Sequence, residues 1–252
     1  TLMFKVGGVD MSRAILPPSF ETRIAVPSGE IQALARQILP HPAGHVLLYP
    51  TSIPGVVTCN MTNAIGVDGT KAEDLTAAQI LCRRQIPLIV KFLREHAPGY
   101  ENCHLLSAGA QIGVRETRHF IGVSTLTEDD IATARVFPDW VVTKAHFNFD
   151  IHNIKGAGLD EHGEQHHFKQ AKGYTIPYGC LVPRRIDGLL LAGRIISGTH
   201  QAHSNFRVMP ICANIGQAAG TAAALSAERG VAPRDLPVTD IQAALKRQGV
   251  EV

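Results

Sequence analysis

Cysteine is scarce and follows no pairing pattern. The 252-residue chain holds five, Cys59, Cys82, Cys103, Cys180 and Cys212, an odd number with no C-x-x-C spacing. That usage argues against a disulfide framework and predicts a reducing, cytoplasmic setting. Cys212 reads as a small buried apolar residue rather than a reactive thiol. Basic runs and aromatic-interleaved patches are missing, and the formal net charge is only +2, which removes nucleic acid as a partner. The one long weakly polar stretch, 208–227, carries Asn214, Gln217, Thr221 and Ser226 and leans on alanine, so no membrane partner is expected. Neither a signal-peptide pattern nor an internal repeat nor a low-complexity segment is visible.

What is present suits a globular chain of one or two domains. Hydrophobic residues make up 45% and charged residues 18%, ordinary values for a packed core. The opening Val6-Gly-Gly-Val-Asp10 reads as a strand entering a turn. Ser28 is the expected cap of a helix running to Leu39, stopped by Pro40 and Pro42. Residues 47–50 and 55–61 read as strands. The strongest helical stretch is 70–97, opened by Glu73 and Asp74, kinked or divided by Pro87 and ended at Pro98-Gly99. Residues 108–124 read as strand-rich. Thr127-Glu-Asp-Asp begins a short helix ending near Pro138, and Thr239 caps a last helix over 240–247.

The richest block is Gly188-Leu-Leu-Leu-Ala-Gly-Arg-Ile-Ile-Ser-Gly-Thr-His-Gln-Ala-His-Ser-Asn-Phe-Arg-Val-Met-Pro-Ile-Cys-Ala-Asn-Ile-Gly-Gln-Ala-Ala-Gly220. It predicts a buried strand over 189–192, a polar loop, and a helix opening at Pro210 and ending near Gly230. Ala213, Gly216, Gly220 and Ala224 share one helix face, on which another backbone or a flat ligand can approach closely.

This block resembles the carboxy-terminal flavin-binding segment of FAD-dependent oxidoreductases of the glutathione-reductase/fumarate-reductase type. Gly66-Val-Asp-Gly-Thr, Gly113-Val-Arg-Glu-Thr-Arg118 and Tyr174-Thr-Ile-Pro-Tyr-Gly-Cys-Leu-Val-Pro183 extend the resemblance collinearly over most of the chain. It implies an α/β fold: an α+β inserted substrate domain over 1–175, plus the returning segment of a Rossmann-like FAD domain over 176–252. The family's G-x-G-x-x-G fingerprint for the FAD pyrophosphate is absent here, and Gly156-Ala-Gly158 has the wrong spacing. The chain opens at Thr1-Leu-Met-Phe-Lys as if in mid-domain. The expected partner is therefore a polypeptide carrying the G-x-G-x-x-G half, beside a small-molecule substrate.

The resemblance places the FAD ribityl and pyrophosphate near Ala192, Gly193 and Arg194, with Ser197 and Thr199 close by. Arg207, Val208 and Met209 open the helix. There, backbone N–H groups and apolar surface would meet the isoalloxazine, while Arg207 offsets charge or holds a carboxylate. Gly216, Gln217 and Ala218 complete the cofactor set. His200 and His203 are the candidates for moving a proton while flavin takes a hydride, as alcohol oxidation requires. If residues 113–119 form a strand, Arg115 and His119 share one face and are further catalytic candidates. Two other readings stand beside this one. The chain could be a non-catalytic subunit capping a flavin held by a partner. Alternatively, His162-Gly-Glu-Gln-His-His167 could make it a metal-dependent hydrolase, although Gly163 and the loop-like surroundings argue for no metal.

Overall fold

The computed structural model describes residues 1–152, 155 and 170–251. These fall into two compact units, the first drawn from Thr1–Thr117 and His152–Glu161, the second from Arg118–Ile151 and His162–Val252. The boundary expected near residue 175 falls within a strand of the second unit. Helices mix with small antiparallel sheets, an α/β composition. No single helix among the described residues is long and apolar enough to cross a membrane.

The first unit is built on an antiparallel sheet in the order β4 (Leu48–Pro50), β5 (Val57–Cys59), β1 (Phe4–Gly7), β6 (His104–Ala108). Phe4 and Val6 point inward and Lys5 outward, the alternation that a sheet with one buried face requires. A short hairpin, β2 (Ala25–Val26) and β3 (Gly29–Glu30), leads into α1 (Ile31–Ile38). Its cap is Glu30 rather than Ser28: both Glu30 carboxylate oxygens accept backbone N–H groups, from Gln32 and Ala33. Ser28 Oγ instead lies 3.0 Å from His96 Nδ1. The helix α2 (Ala72–His96) is continuous through Pro87, which therefore does not divide it. Proline in a helix interior costs about 3 kcal/mol. Burial of Ala78, Cys82, Ile86, Ile89, Val90, Phe92 and Leu93 along one face offsets it.

Two buried glutamines act as substitute backbone. Gln32 Nε2 donates to the Val46 carbonyl at 2.8 Å, and its Oε1 accepts from Val46 N–H at 2.9 Å. Gln85 does the same to Asn63, both bonds at 2.9 Å. Each satisfies a strand-like residue that has no ladder, and so pins an irregular segment against a helix.

The second unit pairs β7 (Trp140–Ala145) with β8 (Tyr174–Pro177), antiparallel with two register slips. Against β7 pack α5 (Met209–Arg229) and α6 (Val238–Arg247). Ile211, Ile215, Ala218 and Ala222 of α5 enter a core with Trp140, Val142, Tyr174, Ile176 and Phe206. Gly230 ends α5 in the left-handed conformation at φ 66°, which glycine adopts without strain. Pro237, not Thr239, occupies the cap of α6. The short α3 (Glu128–Ala132) starts at Thr127 through a reciprocal capping box with Asp130 and ends well before Pro138.

Two strand expectations are corrected. Residues 189–192 form no strand and pair with no ladder among the described residues; Leu191 is buried, whereas Leu189 stays 39% exposed. A strand exists only through a neighbour, and the one backbone bond here runs from Leu191 N–H to the Leu181 carbonyl. Residues 109–121 also form no ladder, so Arg115 and His119 do not share a strand face. Arg115 belongs to the first unit and His119 to the second.

Candidate functional site

The segment 192–217 of the second unit carries most of the candidate residues. Gly193 opens a 3₁₀ turn at φ 69°, with nothing within 4 Å of where a Cβ would stand. Ala192 and Arg194 are exposed there. The chain then dives into the core. Ser197 is buried, its N–H donating to the Cys180 carbonyl at 3.0 Å and its Oγ 3.0 Å from Thr125 Oγ1. Leu126 bonds both neighbours of Gly198, donating its N–H to the Ser197 carbonyl and accepting from Thr199 N–H.

Thr199 begins a helix where the sequence suggested a loop. The helix is α4 (His200–Phe206), and Thr199 Oγ1 accepts from Ala202 N–H while donating to Glu128 Oε2 at 2.6 Å. The helical turn separates the two histidines. His200 lies exposed, whereas His203, 1% exposed, turns into the core. There it meets His119, ring centres 4.9 Å apart, and the edge of Phe206 at 5.4 Å. His119 Nδ1 lies 3.2 Å from the Gly198 carbonyl, which can only accept, so that nitrogen carries the hydrogen. Burial pushes the His203 pKa down to about 3, helped by the nearby charges of His119, Arg207, His200 and Arg194. His203 is therefore neutral at neutral pH.

Arg207 closes α4 and is held by an acid. Its Nη2 donates to Asp150 Oδ2 at 2.6 Å and to the Asp150 carbonyl at 3.0 Å. Asn205, fully buried, accepts from the Tyr174 hydroxyl at 2.8 Å and donates to the Phe147 carbonyl, tying α4 to β8 and to the segment after β7. Asp150, Asn205 and Glu128 were not expected from sequence, and nothing in local spacing pointed to Asp150.

The start of α5 is open. Val208 offers no side-chain cap, and Met209 is 86% exposed. Ala213, Gly216, Gly220 and Ala224 face outward; neither glycine has an atom within 4 Å of a Cβ position, so this face packs against nothing described. Gln217 bonds Gln248 at 2.9 Å, and Ala218 points into the core. Cys212 is half-buried, with its thiol pKa raised by burial. In the first unit, Arg115 Nη1 donates to Thr1 Oγ1 at 3.1 Å. The motif His162–His167 and Gly156-Ala-Gly158 lie outside the described residues.

Residues 1–245 match the family described as FAD dependent oxidoreductase. The chain belongs to that family. No curated protein and no solved structure matches it. As a member of the FAD dependent oxidoreductase family, the chain takes FAD as its cofactor. The second unit fits such a group on its own observations. A helix start without a side-chain cap leaves N–H groups for electron-rich atoms, a glycine-opened turn, Gly193–Ile195, packs against α5, and one face of α5 carries only glycine and alanine at 213, 216, 220 and 224. Family membership lends no support to the metal-hydrolase alternative.

Proposed function

We propose that the chain supplies the substrate domain and the carboxy-terminal FAD-contacting segment of an oxidoreductase acting on a small organic substrate, such as an alcohol. The observation that carries this is the family match across residues 1–245. Bound FAD supplies the ring that accepts or returns a hydride. Ala192, Gly193 and Arg194 would hold its ribityl–pyrophosphate side, and Val208 and Met209 would present N–H groups and apolar surface to the ring. Ser197 and Thr199 brace the turn between them through Thr125, Leu126 and Glu128.

His200 is the proton carrier in this reading, because it is the exposed member of the pair on α4. His203 is a poor store for a proton, since burial penalises its charged form. The pyrophosphate would be held by a second polypeptide segment carrying G-x-G-x-x-G. Leu189, Ile195 and Met209 are exposed and the glycine face of α5 is open, which would leave apolar surface for that segment.

The test is spectroscopic. The chain alone should show weak flavin binding; mixed with a polypeptide carrying the missing motif, it should develop bands near roughly 370 and 450 nm that bleach on anaerobic addition of substrate. Tight stoichiometric FAD binding by the chain alone would remove the second polypeptide. Failure to gain flavin in any mixture would remove the enzymatic reading.

A further inference from the structure

In the first unit, strand β6 is an open sheet edge. It pairs with β1 on one side only, and no other hydrogen bond reaches residues 104–108 among the described residues. The outer backbone N–H and C=O groups of such a strand are ready to pair with another chain, and natural edges are commonly guarded by lysine, proline or an inward-pointing charge. His104-Leu-Leu-Ser-Ala108 has none of these, and its Leu105 and Leu106 are 47% and 51% exposed. Leu106 lies over Gly7 on one face of the sheet. Leu105 lies on the other, where it lines a groove of about 440 Å³ with Ile86, Pro87 and Val90 of α2.

Both ends of this edge carry positive charge. Arg94 Nε donates to the Cys103 carbonyl at 2.6 Å, just before β6, and Arg83 Nη2 donates to the Gly109 carbonyl at 3.0 Å, just after it. Each guanidinium is held by a neutral oxygen, and neither pairs with a carboxylate among the described residues. The acid of the groove, Glu95, already lies 3.9 Å from Lys91. An extended segment laid along β6 therefore meets an apolar groove at its middle and an arginine at either end. The same arrangement disfavours a second copy of the chain. Antiparallel pairing of β6 with itself about Leu106 would set Cys103 opposite Gly109, bringing each Arg94 up to the other copy's Arg83, and like charges placed opposite each other are destabilising.

We propose that β6 and the α2 groove beside it bind an extended, acid-flanked segment of a partner protein. The segment adds to the four-stranded sheet as a further strand, with apolar side chains facing Val90 and Leu105 and an acidic residue at each end against Arg83 and Arg94. Main-chain bonds supply affinity, while the groove and the two arginines select the sequence. Side chains alternate along a strand, so the acids and apolar residues that share this face occupy every second position. The inference concerns the first unit alone and does not rest on the flavin reading.

The probe is the blocked heptapeptide acetyl-Glu-Thr-Val-Thr-Val-Thr-Glu-amide, which places both acids and both valines on one face. Titrated into the ¹⁵N-labelled full chain, it should shift the amide signals of residues 104–108 saturably and slow their hydrogen exchange. The same peptide with lysine for both glutamates should bind at least about tenfold more weakly at low salt, and added salt should narrow that gap. Proline at both the third and fourth positions should abolish binding, because one of those two N–H groups must face β6. Leu105→Ser should weaken the glutamate peptide by about tenfold. Arg83→Gln, which keeps a donor for the Gly109 carbonyl, should narrow the preference for glutamate over lysine. The absence of a saturable shift at millimolar peptide, equal binding of the glutamate and lysine peptides, or shifts confined to residues outside β6 and α2 would each overturn the proposal. So would dimerisation of the chain that Leu106→Lys removes, since the edge would then serve a second copy. The wild-type titrations decide the matter even where a variant fails to fold.

Discussion

The imidazole of His203 lies 4.9 Å from that of His119, ring centre to ring centre, with the planes inclined by 38°. One ring comes from a buried helix face and the other from an irregular segment fixed by the Gly198 carbonyl. Loss of water lowers the His203 pKa, and the neighbouring ring and Arg207 act in the same direction, so His203 stays neutral at neutral pH.

The acid stability of the chain should carry this signature. His203 and His45 have folded pKa values lowered to about 3 and about 4, against an unfolded value of 6.5. Between those limits the unfolded chain binds more protons, so stability is full above pH 6.5 and is lost as pH falls through 6 and 5 toward 4. Urea unfolding followed by circular dichroism from pH 7 to 4.5 should show this fall, and His203→Asn should flatten part of it. A midpoint independent of pH over that range would mean that neither imidazole is desolvated.

Breaking the Arg207–Asp150 pair should destabilise the second unit. Arg207 is 13% and Asp150 24% exposed, so the guanidinium left behind is largely out of water. Asp150→Ala is expected to cost about 2–3 kcal/mol, less than the 3–5 of a fully buried pair. Salt should not reproduce the loss, because partly buried pairs are weakly screened. A cost below about 0.5 kcal/mol in urea unfolding would place this pair among surface ion pairs.

Asn205 should behave as the keystone of α4. Asn205→Ala strands the buried Tyr174 hydroxyl, at about 1–3 kcal/mol for a group left unsatisfied, while the Phe147 carbonyl keeps its bond from Gln170 Nε2 at 2.9 Å. Tyr174→Phe removes one partner only and should cost about 1 kcal/mol. The double variant should cost less than the sum, since both changes break the Tyr174–Asn205 bond. Additive losses in a double-mutant cycle would contradict the network.

Glycines 216 and 220 separate intrinsic helix stability from cofactor contact. With open space around both, Gly216→Ala in the chain alone should stabilise α5 by up to about 1 kcal/mol, the helix-propensity difference. Gly216→Leu and Gly220→Leu should leave the chain folded yet lower flavin occupancy in the complete flavoprotein. Equal occupancy in both Leu variants would show that nothing approaches that face.

His200→Ala should slow substrate-dependent flavin reduction by roughly 10²–10⁴-fold while leaving flavin content unchanged. Stopped-flow reduction across pH is the measurement, with His203→Asn for comparison. If His203→Asn alone abolished reduction in folded, flavin-loaded protein, the proton would belong to the buried ring instead.

Much of this was determined locally. The helices α1, α2, α3, α5 and α6, the stops at Pro40 and Gly230, and the strands β1, β4 and β5 follow from apolar spacing, caps and breakers acting within a few residues. Family membership was legible as well, because residues 174–183 and 188–220 keep a collinear pattern of glycines, small residues and polar side chains that local chemistry preserves. Tertiary structure alone decided the rest. Whether 189–192 or 109–121 become strands depends on a neighbouring edge that no local pattern announces. Packing kept α2 whole across Pro87, where the buried face outweighs one lost hydrogen bond. The fates of His200 and His203, indistinguishable in Thr-His-Gln-Ala-His, were set by a helical turn that leaves one in water and drives the other into the core against His119. The pairing of Arg207 with Asp150, 57 positions apart, and the placing of His45 beside Phe20 and His152 likewise came only from the fold, since burial and charge depend on what the rest of the chain brings near.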